Sequence, residues 1–139
     1  MYIPTKGRGK DHLVTVYIPV APVPCPRPRV SKRGFVYYPA SYNAYKETAK
    51  QHVPELEDVW EFPLAAHLDF ALEKPKTTKF DYPVRGDIDN FTKTACDLIT
   101  TVPGYWHDDR QLVVMTAQKR WAKPKEEAHT LIEIYRHEP

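Results

Sequence analysis

Between residues 89 and 99 the chain reads Asp89-Asn90-Phe91-Thr92-Lys93-Thr94-Ala95-Cys96-Asp97-Leu98-Ile99, and here the apolar spacing becomes helical. Phe91, Ala95, Leu98 and Ile99 fall at i, i+4, i+7 and i+8, one face of a helix. Asp89 or Asn90 offers a side-chain oxygen to cap its start, and Pro103-Gly104 ends it. Upstream, residues 64–72 (Leu-Ala-Ala-His-Leu-Asp-Phe-Ala-Leu) are apolar enough for a buried strand. Downstream, 111–119 and 130–136 read as two strands around the turn-like Ala-Lys-Pro-Lys-Glu-Glu, which predicts an antiparallel hairpin.

Towards the N-terminus, His12 to Val20 is β-branched and aromatic and reads as a first strand. Residues 21–29, Ala-Pro-Val-Pro-Cys-Pro-Arg-Pro-Arg, cannot form a helix and favour an extended polyproline conformation. Phe35 to Tyr38 is a short strand candidate. Ser41 is a candidate helix N-cap, with Tyr42, Tyr45 and Ala49 at helical spacing over 42–52. The order β, β, α, β, α, β, β predicts an α/β (α+β) fold: one mixed sheet, two helices, one domain over 12–139, and a flexible N-terminus over 1–11.

The 139 residues, 42% of them apolar, suit a single domain with its own core. No segment reaches the roughly 20 apolar residues of a membrane span, and Met1–Lys10 holds no apolar run of signal-peptide length. Cys25 and Cys96 lack zinc-site spacing and read as free thiols of a reducing cytoplasm. The net charge of +2 is uneven: residues 1–50 carry nine Lys/Arg against two Asp/Glu, and residues 51–139 carry eleven against sixteen. A basic half joined to an acidic half suits a protein that attracts a polyanion with one part and holds a cation with the other, although clustered solvated charge gives the same balance.

The acidic half is most specific at Gly86-Asp87-Ile88-Asp89-Asn90-Phe91-Thr92-Lys93. In an extended segment, residues two apart share a side, so Asp87 and Asp89 present their carboxylates together. Such a pair repels itself when ionised, and a cation between the two relieves the repulsion. Oxygen donors suit Mg²⁺ or Mn²⁺. Lys93 lies one helical turn beyond Asp89, where its ammonium could hold a phosphate oxygen. A second acidic pair, Asp108-Asp109, follows the helix at the mouth of the next strand, where one of the two can join the first pair. An EF-hand is excluded, because the loop positions that require Gly and Glu hold Thr92 and Leu98. Asp-x-Asp alone is also a common feature of caps and solvated loops. The combination with Lys93 and a second acidic pair one helix later is more specific.

The motif Gly-Asp-Ile-Asp-Asn-Phe-x-Lys with Asp97, then Trp-x-Asp-Asp-Arg-Gln and Lys119, resembles the RusA-like Holliday junction resolvases of bacteria and phages. So does Pro-Cys-Pro-Arg-Pro-Arg followed by Tyr37. The resemblance runs from about residue 13 to 135. It implies a cytoplasmic, homodimeric, Mg²⁺-dependent endonuclease that makes paired nicks in four-way junctions and other branched DNA during recombination and repair. It also implies roles: Asp87 and Asp89 as metal ligands, Lys93 as the catalytic lysine, and Asp109 as the third carboxylate, with Asp108 the alternative. Many relatives carry Pro where this chain has Gly86.

Two exposed basic groups would track DNA phosphates: Arg27, Arg29, Lys32 and Arg33 on or beside the proline-rich arm, and Lys74, Lys76, Lys79 and Arg85 on the loop before the aspartates. Tyr37, Tyr38 and Trp106 are candidates for stacking on bases, with core packing favoured for the tyrosines. Two other classes share parts of the pattern. An Asp-x-Asp nucleotidyl- or glycosyltransferase needs a nucleoside pocket that this short, glycine-poor chain does not display. A non-catalytic branched-DNA binder would use the carboxylates only structurally.

Overall fold

The computed structural model describes residues 11–138. Its strands are β1 (His12–Ile18), β2 (Arg29–Val30), β3 (Val36–Tyr37), β4 (Val59–Trp60), β5 (Leu64–Leu72), β6 (Tyr105–Trp106), β7 (Leu112–Trp121) and β8 (His129–Arg136), and its helices are α1 (Ala40–Lys50) and α2 (Ile88–Thr100). The expected single α+β domain with a mixed sheet and two helices is what forms. The expected flexible segment 1–11 lies, apart from residue 11, outside the described residues.

The main sheet has the order β1-β8-β5-β7. β5 is central because it is buried on both faces, with seven of its nine residues buried. It pairs in parallel with β7 and antiparallel with β8. The two C-terminal strands therefore run antiparallel to each other with β5 inserted between them. β5, α2 and β7 form a βαβ unit, in which the crossover helix must cover the sheet face. Leu64, Ala66, Leu68 and Phe70 of β5 share one core with Ile132 and Ile134 of β8, Val16 and Ile18 of β1, Phe91, Ala95, Leu98 and Ile99 of α2, and Tyr45 and Ala49 of α1.

The opposite face of β5 carries polar groups. Asp69, 4% exposed, accepts from Arg120 Nη2 at 2.9 Å and from Gln118 Nε2 at 2.9 Å, and Arg120 Nη1 reaches Glu126 at 2.6 Å. A buried carboxylate is tolerated there because its oxygens are bonded and its charge is paired.

Some local boundaries differ from the sequence expectation. α1 begins at Ala40 with Pro39 at the N-cap and no side-chain cap, so Ser41 falls inside the first turn. Proline's fixed φ suits it to a helix entrance, which moves the start upstream. α2 begins at Ile88 with Asp87 as N-cap, so Asp89 and Asn90 are already helical. The proline-rich arm ends in a two-residue strand, Arg29–Val30, that pairs with Val36–Tyr37 through a turn at Gly34.

Candidate active site

Two turns flank the α2 crossover, one delivering Asp87 and Asp89 at its start and the other delivering Asp108 and Asp109 after its end. The first is at Gly86, with φ +79. Proline cannot adopt that angle, so a glycine turn delivers Asp87. A Cβ at residue 86 would stand 2.7 Å from the Phe91 ring and 3.0 Å from Pro24, so the turn is pressed against the helix and the proline-rich arm. Lys119 Nζ on β7 donates to the Gly86 carbonyl at 2.8 Å, and the Cys25 N–H donates to the Asn90 carbonyl at 2.9 Å. The arm carrying Arg27 and Arg29 is thus fixed beside the start of α2.

Asp87 sits at the N-cap without spending its side chain on a cap bond, and Asp89 lies in the first turn. Both are exposed. Positive partial charge at a helix N-terminus favours carboxylates there. Lys93 and Asp97 follow on the same stripe, with Lys93 Nζ 3.9 Å from Asp97 Oδ2. Asp97 is thereby an ion-pair partner of Lys93.

The second turn is at Gly104 (φ +93) and Tyr105 (φ +69). A Cβ at Gly104 would lie 2.6 Å from the Leu56 carbonyl oxygen. The Tyr105 hydroxyl donates to Pro54 O at 2.6 Å, and Trp106 Nε1 donates to Thr100 Oγ1 at 2.9 Å. These bonds hold a left-handed tyrosine in place and return the chain to the sheet. Gln111 completes the bracing: its Oε1 accepts from His107 N at 2.8 Å and its Nε2 donates to Trp60 O at 2.8 Å.

Asp108 and Asp109 leave this turn with different surroundings. Asp108 Oδ1 accepts from the Arg110 N–H at 2.8 Å, and that bond holds its carboxyl below the usual range. Asp109 is pushed up, first by partial desolvation and then by the neighbouring Asp108 and Asp97, with Lys93 opposing. Asp109 therefore stands in the electrostatic reach of Lys93 and Asp97 across the crossover, whereas Asp108 is committed to its own turn. Burial, with Asp109 and Asp97 adding, pushes the Cys96 thiol up to about 12, so it stays protonated at neutral pH.

The chemistry of this set suits a hard divalent cation: Asp87, Asp89 and Asp109 are exposed carboxylates with no ion pair among the described residues. The side chains are not gathered further than that. Among the described residues, no three His, Cys, Asp or Glu side chains stand close enough together to hold a metal ion.

All eight basic residues singled out for DNA (Arg27, Arg29, Lys32, Arg33, Lys74, Lys76, Lys79 and Arg85) are exposed. Trp106 is 6% exposed and is a core residue, so it cannot stack on a base. Tyr38 packs on Tyr42, with ring centroids 5.2 Å apart, while Tyr37 is 47% exposed. His107 pairs with Glu61 at 3.3 Å on the surface. The supports Lys119 and Gln111 lie in the recognised motif, but no spacing rule pointed to their contacts with Gly86 and the 107–111 turn. Among the described residues no helix is long and apolar enough to cross a membrane.

Residues 19–135 match the family model described as endodeoxyribonuclease RusA, which covers most of the chain. Comparison with curated proteins gives no match.

Proposed function

The chain belongs to the RusA endodeoxyribonuclease family, and from that premise we propose that it resolves Holliday junctions, as a homodimer, in a Mg²⁺-dependent reaction. The observation that carries this reading is the delivery of Asp87 and Asp89 by the Gly86 turn on one side of α2 and of Asp109 by the Gly104–Tyr105 turn on the other, with Lys93 between them.

Asp87, Asp89 and Asp109 would hold the ion, with Mn²⁺ as a substitute. When bound, Mg²⁺ supplies a Lewis acid that activates water and offsets the charge added at phosphorus. Ionised carboxylates repel one another, and a bound cation would offset that repulsion. The Lys93 ammonium, half exposed beside Asp97, reaches a phosphate oxygen and steadies charge that develops on it. Arg27 and Arg29 on the fixed arm, and Lys74, Lys76, Lys79 and Arg85 on the loop before Asp87, hold the strand against the site. Cys96, protonated and buried, is no nucleophile, which favours direct attack by water over a covalent enzyme intermediate. A four-way junction has near two-fold symmetry, and a two-fold dimer places one such site on each of two opposed strands.

The test is nicking of a synthetic four-way junction in Mg²⁺ or EDTA, with linear duplex alongside. Asp87→Asn and Asp89→Asn should each lose cleavage while keeping or tightening junction binding, because a charge that repels phosphate has gone. Wild-type cleavage rates in Asp89→Asn would refute the site. Equal cutting of linear duplex would refute the junction preference.

A further inference from the structure

The segment joining β5 to α2 exposes three large apolar side chains in five residues: Phe80, Tyr82 and Val84, at 50, 57 and 49%. Each gives up roughly 25 cal/mol for every Å² left in water, and a cluster of this kind marks an interaction surface more often than single exposed residues do. The loop is anchored. Phe80 O accepts from Trp121 Nε1 at 2.9 Å, Phe80 N donates to Thr78 Oγ1 at 3.3 Å, and Pro83 is buried. The Phe80 and Tyr82 rings meet edge to face, centroids 6.1 Å apart at 60°. The chain thus holds an aromatic pair out in solvent at a fixed place.

The charge around the pair suggests its ligand. Over residues 73–86, Lys74, Lys76, Lys79 and Arg85 stand against Glu73 and Asp81. A positive loop with an aromatic tip is complementary to a polyanion that also offers flat π faces, which is nucleic acid with bases out of the stack. In a continuous duplex those faces are covered by neighbouring base pairs; at a branch point they can open. Tyr82 is five residues from Asp87, a span of at most about 18 Å, or about five nucleotides along a B-form strand.

We propose that Phe80 and Tyr82 stack on nucleobases unpaired at the branch point, beside the phosphate presented to Asp87 and Asp89, and so supply the preference for branched over linear DNA. The proposal rests on the reading of the chain as a junction nuclease.

The test uses the full chain in EDTA and a four-way junction carrying 2-aminopurine at the branch point, with linear duplex as comparison. The wild type should change the 2-aminopurine emission on binding. The Phe80→Ala/Tyr82→Ala double variant should lose most of that change and bind the junction about 5- to 150-fold more weakly per stacked base lost, with duplex affinity within about twofold of wild type. Phe80→Leu/Tyr82→Leu, which keeps apolar bulk without a ring, should lose as much. Retained emission change and junction preference in both variants overturns the proposal, and so does an equal loss on junction and duplex. Wild-type cleavage of the junction in Mg²⁺ is measured in parallel. If it is present while the variants behave as wild type, only the aromatic tip is refuted; if it is absent, the nuclease reading falls too.

Discussion

Lys119 and Gly86 are joined by a 2.8 Å hydrogen bond from the lysine ammonium to the glycine carbonyl, which ties β7 to the turn that delivers Asp87. The two residues are 33 positions apart, and α2 spans the gap. The sheet thus fixes the backbone that presents the first acidic pair, and Lys119 brings a positive charge to its base. Lys119→Met removes the charge and leaves the apolar stem. A hydrogen bond from a charged donor is worth about 1.5–3 kcal/mol, and the partly buried position lets water replace some of that, so the stability loss should stay near the lower figure. Single-turnover junction cleavage should fall by tenfold or more, because a small misplacement of reacting groups has a large effect on rate. Lys119→Arg should recover part of the rate. A variant that melts earlier yet cleaves at the wild-type rate would limit Lys119 to a structural role.

Gly86→Ala tests the same turn from the other side. At φ +79 a Cβ costs about 1–2 kcal/mol before any contact is counted. Here the Cβ also meets the Phe91 ring at 2.7 Å, and Phe91 is 1% exposed, so the ring has little room to move. Urea denaturation should show a loss above 2 kcal/mol, with cleavage impaired in the fraction that remains folded. Gly86→Pro should be worse still, since proline's φ has the opposite sign.

The elements with strong local signals could be read from the sequence. The residues 64–72 strand was legible because it is a mostly apolar run of strand length, and α2 because Phe91, Ala95, Leu98 and Ile99 keep helical spacing. Strand neighbours were not legible: 111–119 and 130–136 are consecutive, yet β5 separates them, since that choice depends on which strand buries most surface in the assembled sheet. Asp87 and Asp89 stood out through their spacing. Their supports did not, because the contacts of Lys119 with Gly86 and of Gln111 with Trp60 link distant positions through a helix and two positive-φ turns. Trp106 looked like a base-stacking residue and is core; Phe80 and Tyr82 are the aromatics that face solvent.

Arg120 bridges Asp69 and Glu126, at 2.9 and 2.6 Å, and so secures the β7–β8 connection to the sheet. Arg120→Met strips Asp69, 5% exposed in its side chain, of its guanidinium and leaves it the Gln118 bond and His129 at 4.0 Å; breaking one side of a buried pair costs about 3–5 kcal/mol, and the remaining partners hold the loss near the lower figure. The Arg120 bond pulls the Glu126 carboxyl down to about 2. A carboxylate whose folded pKa is depressed contributes stability above its ordinary value of 4.5, and that contribution is lost as pH falls through about 2. Wild-type stability should therefore decline across this window, and the Glu126 part of the decline should shrink in Arg120→Met, where only the Lys123 N–H bond and His129 still lower that carboxyl. Denaturation midpoints from pH 6 down to about 2 in both proteins give the comparison; parallel declines would mean that Arg120 does not set the acid response through Glu126.

Arg27 and Arg29 are exposed on an arm that the Cys25–Asn90 bond holds against the start of α2. Proline on either side of Arg27 keeps the arm extended, so the guanidinium groups stand away from the core and lose little entropy on meeting a phosphate. Each phosphate contact releases a condensed counterion, and the slope of log K against log salt changes by about 0.9 per contact on duplex DNA. Arg27→Ala and Arg29→Ala should each flatten that slope by about 0.9, and the double variant by about 1.8. Affinity at low salt should fall uniformly across sequences, because phosphates carry no base identity. Melting temperature should not move, as neither side chain is buried. A salt slope unchanged in the double variant would place the DNA elsewhere than along the arm, and would leave the loop of Lys74, Lys76, Lys79 and Arg85 as the main electrostatic footprint.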